Sequence, residues 1–485
     1  MKRYLYLAHR WLGILLCVFM ALWFLSGVVM MYVGYPKLTP QEHWQRLPVL
    51  DGGACCLAAG EALAALPTGS VVRTLRLTSI AGTPVYVATL DKNRFAAIDG
   101  RSGALRPLAD AALAVQSAQA FMPVMATYAG LVDEDAWTHS RALDGHRPLH
   151  RVDMQDEART RLYVSSVTGE VVRDATLTER RWNWIGAWLH WLYPLRGGWL
   201  DDWWSGIVIY SSLAATVLGL TGLWAGCLRW RRRPYASGSH SPYRAPWARW
   251  HHWLGLAFGG LIVTWIASGL FSMNPWKIFD AGGPRPPMPV VQVADNEMSP
   301  AAMLACLEEA AGFAASELSW VRLADESFIL ARAAGGGSRL LPSGRCAPFH
   351  EHEQASLLAA GAAMLPHARV SDVFVQQAYD WHYYSRVEHT MGGHQNRPLP
   401  VLRLQFDDPA QTWLYLDPRS GAVVQRLNSH GRVKRWLFAL LHSWDWQPLL
   451  ASRPLWDILL IVGSLGGFAV SVSGVVLGWR RLCRR

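Results

Sequence analysis

Residues 7–27 read LAHRWLGILLCVFMALWFLSG, and residues 249–269 read RWHHWLGLAFGGLIVTWIASG. Laid together without a gap, they superpose His9 on His251, Gly13 on Gly255, Trp23 on Trp265 and Ser26-Gly27 on Ser268-Gly269. Matches spread along one register mark a duplicated segment. A second pair of matches extends the duplication. WIGAWLHWLYP (184–194) aligns with WLFALLHSWDW (436–446), so that His190 falls on His442. Beyond it Trp204 falls on Trp456, Gly222 on Gly474 and Gly226 on Gly478, again at a single offset.

Four stretches, 11–33, 203–228, 253–273 and 458–477, are apolar over the roughly 20 residues that a bilayer core requires. The first is too long for a signal-peptide core and lacks a small-x-small cleavage site after it, so it reads as a retained anchor. Basic residues set the orientation. Lys2, Arg3 and Arg10 precede or open the first span, six Arg and no acidic residue lie between Arg229 and Arg249, and Arg480, Arg481, Arg484 and Arg485 follow the last span. By the positive-inside rule all three regions are cytoplasmic, as are both termini. The formal net charge of +10 is thus mostly topogenic, and nothing in it argues for nucleic-acid binding.

Each half then consists of one span going out, an external segment, a histidine-bearing segment and one span coming back. Both halves run in the same direction, as in a parallel repeat about an axis along the membrane normal. The expected fold is an α-helical membrane protein with four transmembrane helices in two parallel pseudo-symmetric repeats, plus two external α+β domains. The boundaries follow: span 1 at 1–34, external domain 1 at 35–180, histidine segment and span 2 at 181–228, and a basic cytoplasmic loop at 229–250. Span 3 occupies 251–274, external domain 2 occupies 275–430, and the last histidine segment, span 4 and basic tail fill 431–485. Ser299 and Pro300 open a helix in SPAAMLACLEEAAG. TPVYVATL, RFAAIDGRSG, RLYVSSVTGEVV and TWLYLDPRSGAVV read as strands and hairpins, with Gly103, Gly169 and Gly421 at turn positions that need positive φ. GGPRPPMP (282–289) reads as a linker.

Of seven cysteines, Cys55, Cys56, Cys306 and Cys346 face the oxidising side, where disulfides form but where sequence cannot choose the partners. No C-x-x-C-H is present for covalent haem, and no C-x-x-C pair suggests zinc. The sequence also lacks an H-E-x-x-H, a phosphate loop, a Ser/His/Asp nucleophile elbow and a G-x-G-x-x-G nucleotide motif.

The histidines carry the chemistry. A lone histidine at headgroup depth needs no function, but ionisable residues within spans usually mark one. Here they form two equivalent pairs, His9 with His251 and His190 with His442. A twofold axis sets equivalent helix positions face to face, and two opposed imidazoles are what bis-histidine haem ligation requires. His9 and His251 open the outgoing spans, and His190 and His442 precede the returning ones. The two levels are therefore roughly 25–30 Å apart across a bilayer, which predicts two metal centres, one near each face. His252 is a rival to His251, and the register favours His251. Gly13, Gly27, Gly255 and Gly269 read as helix packing more than as room for a cofactor. The tryptophans of 182–204 read as an interfacial belt. His146, His150, His382, His389 and His394 read as solvated loop residues, although WHYYSRVEHTMGGHQNRPLP combines aromatic faces, an Arg and imidazoles in a way that suits an iron-complex site.

LAHRWLG, HHWLG, LLHSWDW, LYLDPRSG and RPLWD, the last leading into a span that ends SGVVLGWRR, resemble the PepSY-associated transmembrane proteins of bacterial inner membranes. The resemblance covers most of the chain. That family includes haem-containing ferric-siderophore reductases, so the resemblance implies two haem b groups with His9, His251, His190 and His442 as axial ligands to iron. It also implies a periplasmic ferric siderophore or other iron chelate as substrate, and an inner-membrane location with the large domains in the periplasm. The enzymatic expectation is a haem-dependent transmembrane oxidoreductase serving iron uptake. The cytoplasmic loop is too short for a nucleotide-binding fold, so a quinol or a separate cytoplasmic reductase is the expected electron donor. The competing expectation is a non-catalytic, membrane-anchored PepSY module that binds a peptide or protein. A transporter ranks third, because it should carry polar residues in mid-span and these spans have almost none.

Overall fold

The structure is a computed structural model that describes residues 2–196, 198–280, 290–293, 296–324, 326–387, 390, 393 and 395–483. The proposed linker at 282–289 and the side chains of His389 and His394 lie outside the described residues. Among the described residues, four helices are long and apolar enough to cross a membrane: α1 (Lys2–Met30), α2 (Asp201–Arg229), α3 (Pro246–Ser272) and α4 (Leu455–Leu482). α3 starts on Pro246, whose fixed φ and missing N–H suit the first helical position. Arg229, Arg480 and Arg481 lie in the last turns of α2 and α4, where a cation meets the negative end of the helix dipole.

The four helices form a ring in which α1 touches α4 and α2, and α3 touches the same two. Met20, Trp23 and Phe24 of α1 pack inside against Leu218, Ile262, Trp265 and Leu460. Small residues allow the close approach that lipid alone does not drive. An added Cβ at Gly466 would fall 2.4 Å from the Phe258 ring, and one at Gly467 would fall 2.7 Å from that of Phe24. Leu15, Val18, Trp224 and Leu465 point outward and are more than half exposed, an apolar surface that suits acyl chains and not water.

The segments joining α1 to α2 and α3 to α4 fold at one end of the bundle into three antiparallel sheets. Strands β1 (Val72–Ile80), β2 (Thr83–Leu90) and β3 (Arg94–Asp99) come from the first half, with β8 (Glu317–Leu323), β9 (Glu326–Arg332) and β10 (Ser338–Pro342) from the second. They make one six-stranded sheet in the order β10-β9-β8-β1-β2-β3. This differs from the expected pair of separate external domains. β1 joins β8 through Leu75↔Trp320, Arg76↔Ser319 and Leu77↔Leu318, and a single core of Leu75, Tyr86, Met303, Leu307, Leu318 and Ile329 draws on both halves. Each three-stranded piece alone would leave an unpaired edge, and joining at β1 and β8 satisfies both edges at once.

The other two sheets each belong to one half. β4 (Ala126–Val132), β5 (Leu149–Met154), β6 (Arg161–Ser165) and β7 (Val171–Ala175) lie under the helix Ala111–Phe121. β11 (Val370–Gln376), β12 (Val401–Phe406), β13 (Trp413–Leu416) and β14 (Val423–Leu427) lie under the helix Gln354–Ala363. Gly103, Gly169 and Gly421 adopt φ of +71°, +79° and +67°, the left-handed turn positions expected of them. The four cysteines of the sheet-bearing segments form the disulfides Cys55–Cys56 and Cys306–Cys346, while Cys17, Cys227 and Cys483 are free.

Candidate functional site

At the end of the bundle away from the sheets, the third turn of α1 and the second turn of α3 bring His9 and His251 together with ring centres 6.1 Å apart. At the sheet end, His190 and His442 face each other with ring centres 6.0 Å apart. Neither of the latter two is on a spanning helix. The helix Leu177–Ile185 breaks at Gly186, and the short helix Ala187–His190 then brings its histidine inward. An added Cβ at Gly186 would lie 3.1 Å from Val29, so the break lets this segment lie close against α1. In the second half, the helix Ser429–Lys434 widens into a π turn over Arg435–Leu440 just before His442. Such a turn re-aims the side chains that follow it.

Hydrogen bonding sets the tautomer of all four rings. His9 Nδ1 faces the Leu218 carbonyl at 3.2 Å, which can only accept, so Nδ1 donates. His251 Nδ1 faces the Val470 carbonyl at 3.2 Å and Ser473 Oγ at 2.9 Å. His190 Nδ1 meets Ser26 Oγ at 3.0 Å, and that hydroxyl already donates to the Trp23 carbonyl, so the histidine is the donor. His442 Nδ1 meets Ser268 Oγ and the Trp265 carbonyl, both at 3.2 Å, and Ser268 donates to that same carbonyl. Each Nδ1 therefore carries its proton, and each Nε2 keeps a lone pair. This is the arrangement of a metal-ligating imidazole whose second nitrogen is tied down by an outer partner. The two halves also differ in their tryptophans: Trp23 Nε1 donates to the His190 carbonyl, while Trp265 Nε1 is buried without a partner.

His252 is turned away from this arrangement. Its Nε2 donates to the Gly226 carbonyl at 2.9 Å and its Nδ1 meets Ser241 Oγ at 2.8 Å. It ties α3 to the loop before it and opposes no other imidazole.

The glycines of the spans divide. Added Cβ atoms would lie 2.6 Å from His9 at Gly222, 3.4 Å from His442 at Gly269, 3.5 Å from His251 at Gly474 and 3.8 Å from His190 at Gly27. Gly222 thus makes room for the His9 imidazole, while Gly27 and Gly269 face His190 and His442 at ordinary van der Waals distance. Gly13 meets only Cys17 and Leu218, which is helix packing, and Gly255 faces open space.

Between His190 and His442 lies a cavity of about 430 Å³, with Trp23, Trp265 and Leu460 among its mostly apolar walls. Its size falls in the range of small-molecule sites. Trp191 and Trp204 also line it, so part of the expected interfacial belt faces inward, whereas Trp182, Trp184, Trp199 and Trp203 are exposed as expected. Trp204 Nε1 donates to the Trp191 carbonyl at 2.8 Å, and Trp456 Nε1 does the same to Ser443 at 3.1 Å. Arg386, from the aromatic-rich tract noted in the sequence, also lines this cavity.

A second cavity, of about 720 Å³, adjoins the first through shared Met30 and Trp191 and extends toward the shared sheet. Arg76 crosses its wall, reaching Glu170 at 2.6 Å and Glu317 of the other half at 3.2 Å. Burial works against the Arg76 charge, but the two carboxylates outweigh it and push its pKa up. His146 lines the same cavity, stacked on Phe95 with ring centres 4.0 Å apart, and burial pushes its pKa down to about 4. The expectation of a solvated loop is wrong for His146 and for His150. His150 is buried on β5, donates from Nε2 to the Ala109 carbonyl at 2.8 Å and meets the Tyr128 hydroxyl at 3.0 Å. His382 is half-buried beside Trp413 and Trp436. Both β5 and the loop before it close over the domain core, which a local reading of polar sequence does not reveal.

Four apolar helices with histidine pairs at both ends define a membrane protein built around two inward-facing sites. The family described as the PepSY-associated TM region matches residues 6–383, and the chain belongs to that family. No curated protein matches it in sequence.

Proposed function

We propose that the chain is a di-haem reductase of the bacterial inner membrane, passing electrons outward to ferric iron chelates in the periplasm. The observation that carries this reading is the spacing of the paired rings. An imidazole nitrogen lies about 2 Å from a bound metal, with the ring centre about 1 Å behind it, so two rings on opposite sides of one metal have centres about 6 Å apart. The observed separations are 6.1 and 6.0 Å. Among the described residues, no group of three or more His, Cys, Asp or Glu could hold a metal ion by itself. Two imidazoles per site therefore suit a metal whose remaining positions are filled by a flat macrocycle. The matching hydrogen bonds of Ser26 and Ser268, and of Leu218 and Val470, support a pseudo-twofold axis along the membrane normal.

Haem iron, when bound, supplies one-electron transfer. The chain's own part is to orient, insulate and space the sites. Ser26, Ser268, Ser473 and the helix carbonyls hold the imidazoles in the ligating tautomer. Trp23, Phe24 and Trp265 exclude water between the two levels. His9 and Gly27, the latter beside His190, are roughly five helical turns apart on α1, about 27 Å. The sheets, with the adjoining larger cavity, would face the periplasm and admit the chelate. Electrons would enter at the cytoplasmic end from a quinol or a separate reductase.

The direct test is an absorption spectrum of the detergent-purified protein from haem-replete cells. We expect a Soret band, low-spin bis-histidine features and two haems per chain, all removed by acid-acetone. Colourless protein would overturn the proposal.

A steric test follows from the glycines. Gly222→Ala puts a carbon 2.6 Å from His9 Cε1, and the ring can yield only by leaving its hydrogen bond to Leu218. This variant should retain about one haem per chain, with the His190/His442 site intact. Gly27→Ala, with 3.8 Å of clearance, should retain both. Equal haem content in the two variants would contradict the assignment of His9 as a ligand.

A further inference from the structure

The cavity between His190 and His442 is mostly apolar, with serines, Tyr193 and a single charged side chain other than the histidines, Arg386, in its lining. Arg386 comes from the external tract between β11 and β12 and not from the bundle. The Arg386 side chain is 11% exposed and forms an ion pair with Asp445, whose side chain is 5% exposed. Tyr384 donates to the other Asp445 oxygen at 2.9 Å, and Arg435 donates to the Asp445 carbonyl. The indole of Trp456, which also lines the cavity, lies beneath the Arg386 guanidinium at 5.7 Å.

The Asp445 carboxylate thus takes Arg386 on one oxygen and Tyr384 on the other, while Arg435 binds the backbone carbonyl of the same residue. Holding a charge so far from water is costly unless it meets a partner, and Asp445 is that partner for Arg386. An arginine has a planar fork that binds a carboxylate through two parallel hydrogen bonds, and here its position is set in advance by Asp445 and the Trp456 face.

We propose that Arg386 binds a carboxylate of the group held between His190 and His442, namely a haem propionate. Asp445, Tyr384 and Trp456 hold the guanidinium in place for it. This rests on the haem reading above and extends it to a residue that the paired histidines do not identify. The site would also differ from its counterpart at the other end of the bundle, because Arg386 belongs to the sheet end alone.

A carboxylate at this rim could instead belong to an iron chelate, so the test separates the two sources. Full-length His9→Ala protein, in which only the His190/His442 site should bind haem, is stripped and titrated with haem and with haem dimethyl ester. The ester keeps the macrocycle and metal but has no carboxylate. Haem should bind about tenfold or more tightly than the ester, the usual size of a charge-assisted hydrogen bond. In His9→Ala/Arg386→Gln the preference should vanish through weaker haem binding, with ester binding unchanged. Arg386→Lys, which keeps the charge and loses the fork, should fall between them. It also provides the comparison if the Gln variant does not fold. In the otherwise unaltered chain, Arg386→Gln should lower the midpoint potential of the His190/His442 haem and leave the other haem as an unshifted reference. An equal haem-to-ester ratio in all three proteins would overturn the proposal. So would a variant that changed only KM for ferric citrate relative to a neutral hydroxamate chelate, since that would give the carboxylate to the substrate. If the His9→Ala protein bound neither haem nor ester, the haem reading itself would fall, and this proposal with it.

Discussion

His9→Ala and His251→Ala should each perturb one and the same haem, and His190→Ala and His442→Ala the other. Each single variant should lose about half of the low-spin Soret absorbance, by losing that haem. The reason is geometric. The rings of His9 and His251 are 6.1 Å apart and those of His190 and His442 are 6.0 Å apart, while the two levels are separated by most of the bilayer core, about 30 Å thick. No single macrocycle reaches both levels. Alanine also removes the outer hydrogen bond, to the Leu218 carbonyl for His9 and to Ser26 Oγ for His190. The loss should therefore not be rescued by a neighbouring side chain, and His252 cannot replace His251 without giving up its bonds to Gly226 and Ser241. The measurement is haem per chain with low-temperature electron paramagnetic resonance, in which the two ferric haems should be resolved. Variants grouping as His9 with His190 would refute the pairing and the proposed orientation in the membrane.

The second large effect concerns electron delivery. Chemically reduced wild-type protein should reoxidise when mixed anaerobically with a ferric siderophore, and Fe(II) should appear in a trap. His442→Ala should keep a reducible haem at the His9/His251 level yet lose most of this reoxidation. The remaining centre would lie roughly 20 Å or more from the external surface, too far for electron tunnelling at the rate of turnover. Stopped-flow records of the haem bands, taken with several iron chelates, decide the matter. Equal reoxidation rates in the two proteins would rule out a two-haem path. Absence of reoxidation by every chelate would point to another acceptor.

The parts of this structure that follow the helical period were legible in the sequence. A duplicated span keeps the same face inward, so aligning LAHRWLG with RWHHWLG was enough to pair His9 with His251. The same logic paired His190 with His442, and the structure brings both pairs together. Hairpins at Gly103, Gly169 and Gly421 were equally readable, because a positive φ is a local demand that few residues meet. Membership of the PepSY-associated family was legible as well, and the motifs LAHRWLG and HHWLG lie within the matched residues 6–383.

Other features belong to the tertiary structure alone. The β1–β8 junction is made by backbone hydrogen bonds between strands some 240 residues apart, and such bonds leave no mark on side-chain sequence. The expected separation into two external domains failed for that reason. The proton on each Nδ1 depends on carbonyls and hydroxyls brought in by neighbouring helices, and so does the role of Ser26, Ser268 and Ser473. His146 and His150 looked solvated because their neighbours in sequence are polar, but the sheet and the loop before it bury both. Arg386 was one cation in a polar tract until the fold set it at the rim of a membrane cavity, paired with Asp445. Local sequence determined which residues could face inward, because periodicity is a property of one element. Only packing between elements decided what each of them meets there, because that depends on which distant segments share its surroundings.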